Sequence, residues 1–132
     1  HKPGRPWPTL KTMIEDKKRL VILSDEKPTE PSGHILYVWD VAWETHWSAE
    51  RIEDMACDPN RGNPQNSLFI LNHFLTRPIA MIELAEDANA DPFFSRRAED
   101  CRQASGRIPN FITVDFYEVG AAQTIANTMN GL

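Results

Sequence analysis

Four short apolar runs in this chain end on residues that can do chemistry. Leu20 to Leu23 gives way to Ser24-Asp25, and the run from Ile35 through Trp39 closes on Asp40. Leu68 to Leu71 closes on Asn72-His73, and Phe111 to Val114 is followed by Asp115-Phe116-Tyr117. Carboxylate, amide and imidazole groups accept, orient and transfer protons. In parallel α/β proteins, sites are built at the edge of the sheet where the C-terminal ends of the strands meet. A lone strand-end Asp is as readily a solvated cap of the next turn as a working group. Four polar strand ends brought to one rim favour the working reading, with Asp115 foremost. Asp40 and Asn72 are short polar groups suited to substrate hydroxyls or, equally, to holding a loop. His73 follows Asn72 directly, so strand alternation sends the two opposite ways and gives His73 a structural place between sheet and helix.

The elements that must hold these residues follow from periodicity. Thr9 is placed to cap a first helix in which Leu10, Met13 and Ile14 recur at helical spacing. The apolar runs 20–23, 35–40, 68–74 and 111–116 predict four strands, and continuous runs of this kind are buried on both faces, as in a parallel sheet. Between them, Pro78 to Ala88, Ser95 to Ala104 and Val119 to Met129 read as amphipathic helices, the last ending at Asn130-Gly131. Thr45 to Met55 has poor period and suits a short helix or a decorated loop. Glu26 to Gly33 and Cys57 to Pro64 carry only turn and loop signals. Strand and helix thus alternate four times, which predicts right-handed βα units on a parallel sheet.

Composition sets bounds. The 132 residues suit one domain, with 14 Lys+Arg against 19 Asp+Glu and net charge -5. No basic stripe marks a nucleic-acid surface, and no apolar run is long enough for a transmembrane segment. The chain opens on His1 rather than Met, so residues 1–7 read as a linker or processed terminus. Cys57 and Cys101 have no CxxC or Cys/His spacing, which argues against a metal site. From their surroundings alone, a long-range disulfide and two free thiols both stand.

Several stretches together resemble one family. Trp7-Pro8-Thr9-Leu10-x-x-Met13-Ile14, Lys18-Arg19-Leu20-Val21, Cys57-x-Pro59-Asn60-Arg61, Leu71-Asn72-His73-Phe74 and Pro109-Asn110-Phe111-x-x-Val114-Asp115-Phe116-Tyr117 occur in that order, with Asn130-Gly131 last. The order is similar to that of the phosphatidylinositol-specific phospholipase C X-domain-like phosphodiesterases, in their secreted or surface-anchored plant and fungal branch. The resemblance covers nearly the whole chain. It implies an α/β fold that is the second half of a TIM (β/α)₈ barrel, with about four βα units and parallel strands. The family's catalytic histidines, and the acidic ligands of the branches that use Ca2+, belong to the first half and are not in this sequence.

The resemblance therefore implies part of a phosphoric diester hydrolase or lyase acting on a phosphoinositide-type or related phosphodiester. This chain alone is expected to be inactive and to hold no cofactor, any Ca2+ falling to the missing half. Its expected partners are the N-terminal half, as a separate chain or segment, or else a second copy, together with a phosphodiester or lipid head-group ligand. Asp115 is the expected orienting partner of a histidine outside the chain, with Asp40, Asn72, Trp39 and Tyr117 toward substrate. Cys57 and Cys101 fall at family cysteine positions, which implies a disulfide and a secreted or cell-surface location. The alternative is a non-catalytic relative serving as a secreted ligand- or protein-binding module.

Overall fold

The computed structural model describes residues 1, 4–29 and 34–132, so part of the opening linker and of the Glu26 to Gly33 loop lies outside the described residues. Helix α1 spans Leu10–Glu15, and Thr9 caps it by accepting the Thr12 amide at 3.1 Å, as its sequence predicts. Strand β1 (Ile22–Ser24) pairs in parallel with β2 (Ile35–Tyr37), Ile22 opposite Ile35. These two form a sheet of their own.

A second sheet of four strands has the order β4-β3-β5-β6. Its members are β3 (Ala42–Thr45), β4 (Pro59–Gly62), β5 (Leu68–Asn72) and β6 (Phe111–Thr113). Strands β3, β5 and β6 are mutually parallel, while β4 runs antiparallel on the outer edge of β3. Helices α2 (Ile82–Ala88), α3 (Phe93–Ser105) and α4 (Ala122–Met129) fall where helical periodicity predicts them, with shifted ends.

The fold is only loosely α/β, and the expected second half of a TIM barrel is not what forms. Two small sheets replace one run of four parallel strands, and no barrel closes among the described residues. The physical cause lies between residues 38 and 45. The run expected as one strand to Asp40 stops at Tyr37, and a 3-10 turn over Val38–Asp40 carries the chain into β3. Val38 and Val41 bury their side chains against Ala42 and Leu68, so this apolar stretch is spent on a turn rather than on strand length. Strand β4 comes from a segment with only turn signals. Its first residue, Pro59, lacks an amide hydrogen and suits the start of an edge strand. Gly62 lies so close to β3 that a Cβ there would run into the Ala42 carbonyl oxygen.

Register divides the four-stranded sheet into two faces. Trp43 lies opposite Phe69, and Leu71 opposite Ile112, on the face covered by α3 and α4. Trp43 stacks on Phe69 at 4.0 Å, and Phe94, Ala98, Cys101 and Ile125 close the core over them. Burying each large side chain of this kind contributes about 1.5–3 kcal/mol, so this face dominates the packing. Glu44 lies opposite Ile70, which lies opposite Phe111, while Asn72 lies opposite Thr113. These residues share the other face, and there the site is built.

Candidate functional site

The polar end of that second face centres on a carboxylate the strand pattern does not single out. Glu44 of β3 is 3% exposed. Its Oε1 accepts from Arg61 Nε at 2.6 Å and from Asn60 Nδ2 at 3.1 Å, both on β4. Its Oε2 accepts from Asn72 Nδ2 at 2.9 Å, across on β5. A buried charge is tolerable only with such a set of donors. The hydrogen bond to Glu44 in turn holds the Arg61 guanidinium above its ordinary pKa. Arg61 lies over the Trp39 ring at 4.4 Å, a cation-π contact that flattens it against the rim.

Asn72 is more firmly committed than a free substrate ligand. Its Nδ2 also donates to the Thr45 carbonyl at 2.8 Å, and its backbone amide donates to Thr45 Oγ1 at 3.0 Å. Its amide oxygen has no partner among the described residues. Two of the expected site residues, Trp39 and Asn72, are thus joined in one network through Arg61 and Glu44.

Asp115 stands on the same rim, two residues past the end of β6 and thus beyond Thr113, the partner of Asn72. Its side chain is half-buried, and its carboxylate has no hydrogen-bond or ion-pair partner among the described residues. The backbone carbonyl of Asp115 accepts from Asn89 Nδ2 at 3.0 Å. Asp40 is exposed at the close of the 3-10 turn and has no side-chain partner among the described residues. Tyr117 is 77% exposed and sits on the lip of a groove between β6 and α4, with Ile112, Val114 and Met129. The contacts of Asp40 and Tyr117 do not link them to the Glu44 network.

His73 turns to the helix face. It is fully buried and stacks on Phe94 at 3.7 Å. Its Nε2 meets the Ala88 carbonyl at 2.8 Å and its Nδ1 meets Arg97 Nη1 at 3.1 Å. A carbonyl only accepts and a guanidinium only donates, so Nε2 carries the proton and Nδ1 is the acceptor. Burial, with the nearby Arg97 charge, pushes the pKa of His73 down to about 3. A histidine so held is neutral at physiological pH and has no nitrogen left for substrate.

Arg97 continues this network by donating to the Met55 and Ala56 carbonyls at 3.1 and 3.0 Å. The next residue, Cys57, is joined to Cys101 of α3 by a disulfide. One helix therefore fixes the segment that leads into β4 and its Asn60-Arg61 pair. Among the described residues, no cluster of three or more His, Cys, Asp or Glu side chains is arranged to hold a metal ion. No helix among them is long and apolar enough to cross a membrane.

Sequence reasoning about strand ends passed over Glu44, Asn60, Arg61 and Asn89. Glu44 sits inside a four-residue strand too short to show alternation. Asn60 and Arg61 do fall within the Cys57-x-Pro59-Asn60-Arg61 motif, which was their one available signal.

The profile of the PI-PLC X domain family matches residues 3–130. A PI-PLC X domain-containing protein of Arabidopsis thaliana is 27% identical, over 97% of this chain and 32% of its own length. PI-PLC X domain-containing protein 1 of Arthroderma benhamiae is also 27% identical, over 96% of this chain and 45% of its own. An uncharacterized secreted protein of the same fungus is 27% identical, over 86% of this chain and 30% of its own. This chain spans from about a third to less than half the length of these relatives. No solved structure matches it. Matched over residues 3–130, nearly all its length, the chain belongs to the PI-PLC X domain family.

Proposed function

We propose that this chain is part of a phospholipase C-like phosphodiesterase acting on a phosphoinositide-type or related phosphodiester, with Asp115 orienting a histidine supplied from outside residues 1–132. That histidine acts as general base on a substrate hydroxyl, whose oxygen attacks phosphorus. The bond from phosphorus to the lipid-side oxygen breaks as a second histidine protonates it, leaving a cyclic phosphodiester. The Asp115 carboxylate holds the base in the tautomer that accepts the proton, the role any base-orienting carboxylate plays. Asn72, through its uncommitted amide oxygen, and Asp40 meet substrate hydroxyls, while Trp39 and Tyr117 flank the mouth.

The observation that carries this reading is the contrast between Asp115 and Glu44. Glu44 is saturated by Arg61, Asn60 and Asn72, whereas the Asp115 carboxylate stands half-buried on the same rim without a partner among the described residues. Any Ca2+ is bound by residues outside this chain. The disulfide, and the description of one relative as secreted, support an extracellular or cell-surface location.

A second reading is a non-catalytic binding module, since the acid-base histidines of the enzymatic reading lie outside residues 1–132 and His73 does not supply one. His73, the histidine nearest the rim in sequence, is locked neutral and inward. Turnover of phosphatidylinositol by the complete gene product separates the two. Asp115→Asn lowers kcat by about 100-fold or more under the enzymatic reading. Unchanged turnover removes Asp115 from the mechanism, and no turnover by the unmutated protein leaves the binding module.

A further inference from the structure

We propose that Asn89, a residue outside the rim, is the positioning residue for Asp115, an inference that rests on the reading of Asp115 given above. Asn89 closes the C-terminus of α2, where its backbone amide donates to the Ala85 carbonyl at 2.8 Å. It is 1% exposed. Its side chain is spent on another element altogether. Nδ2 donates to the Asp115 carbonyl at 3.0 Å and to the Val119 carbonyl at 3.1 Å, so one amide group holds both ends of the 115–119 loop. Its own carbonyl accepts the Ala121 amide at 2.9 Å, just before α4.

Three features set this apart from ordinary loop packing. Both amide hydrogens are committed to the loop, while Oδ1 is buried without a hydrogen-bond partner among the described residues. The reverse amide orientation is excluded, because it would press the oxygen against two carbonyl oxygens. Next, Gly120 comes so close that a Cβ would run into the Asn89 carbonyl oxygen, which fixes the spacing between α2 and the loop. Last, Phe116, directly after Asp115, sits in the left-handed region at φ 49, which a bulky residue adopts only when its surroundings impose it. The tether on the Asp115 carbonyl is one such constraint. It sets the backbone direction at the end of β6 and hence where the Asp115 carboxylate points.

The test is a double-mutant cycle on hydrolysis of phosphatidylinositol in mixed phosphatidylcholine vesicles by the complete gene product. Asn89→Ala is expected to lower kcat about 10- to 100-fold with KM changed less than about twofold, since misplacement of a reacting group by an ångström has effects of that order. In an Asp115→Asn background the same change is expected to cost less than about twofold, because the group it positions is already gone. Equal losses in both backgrounds, or no loss in the first, overturn the inference. Asn89→Asp, whose buried carboxyl retains one of the two hydrogen bonds when protonated, is expected to fall between wild type and Asn89→Ala. If circular dichroism shows Asn89→Ala unfolded, Asn89→Asp carries the same comparison. Full turnover by Asp115→Asn alone refutes the functional reading instead. The side-chain carboxyl ¹³C resonance of Asp115 then decides the inference: a shift in the Asn89 variant upholds the positioning contact, and an unmoved resonance overturns it.

Discussion

Acidification destabilises this protein through His73, by an amount that follows from the contacts of the ring. The imidazole is sealed between Phe94, the Ala88 carbonyl and Arg97. A second proton would have to occupy Nδ1, the lone pair that Arg97 uses, in a dry site beside a cation. Burial first, and the Arg97 charge with it, therefore depress the folded-state pKa from 6.5 to about 3. The unfolded chain takes the proton at the ordinary value of about 6.5. A depressed pKa means the folded state binds fewer protons, so the contribution is fully present above about pH 6.5 and is lost as pH falls toward about 3. Linkage between those two values gives a loss of about 2 kcal/mol between about pH 7.5 and pH 5, rising to about 3 kcal/mol by about pH 4. Urea unfolding across this range, in wild type and His73→Gln, isolates the effect. Glutamine can accept from Arg97 and donate to Ala88 but does not titrate, and the carboxylates titrate alike in both proteins. The wild-type curve is expected to steepen below about pH 6.5 relative to the variant. Parallel curves would show that His73 is not the buried neutral group described, and would reopen it as an acid-base residue.

Two further outcomes concern the supports of the rim. The Cys57–Cys101 disulfide closes a separation of 44 residues, for which the loop-entropy relation gives about 4 kcal/mol. Cys57→Ser/Cys101→Ser is expected to lower stability by about that much in chemical denaturation, and a loss under about 1 kcal/mol would mean that Arg97 alone holds the segment before β4. Glu44→Gln turns one acceptor oxygen into a donor that must face Arg61 and Asn60 or Asn72. A loss of about 2 kcal/mol is expected, with stability within about 0.5 kcal/mol of wild type counting against a single buried network.

What was legible in the sequence was mostly what depends on local pattern. The Thr9 cap, the periodic helices and the apolar cores of β5 and β6 need only neighbours within a few residues, and each is found near its expected place. Sheet membership was not legible, because it depends on which apolar run is spent on a turn. Val38 and Trp39 read as strand, yet Val38 packs inward from a 3-10 turn and Trp39 flattens under Arg61. The pairing of β5 with β6 is the one consecutive parallel strands predict, but its other neighbour is β3 rather than the 35–40 run, and the barrel geometry is lost there. The site divided in the same way. Strand-end residues such as Asn72 and Asp115 stand out because polarity interrupts an apolar run. Glu44 and Asn89 act through partners 16 to 30 residues away, and no local pattern announces such a contact.

That division bears on how the rim works. A buried carboxylate with three donors has already lost its water and found replacements for it. A further ligand gains little from Glu44, whose place is to hold β4 and β5 on either side of β3. A half-buried carboxylate without a partner is the opposite case, since a cation or an imidazole N–H brought to it gains a charge-assisted hydrogen bond at little cost in displaced contacts. Asn72 stands between the two, its donors spent on Glu44 and Thr45 and its amide oxygen without a partner among the described residues. The rim is thus graded from structural at β3 to receptive at β6. The receptive end is also the end where the sheet stops, with one edge of β6 unpaired among the described strands.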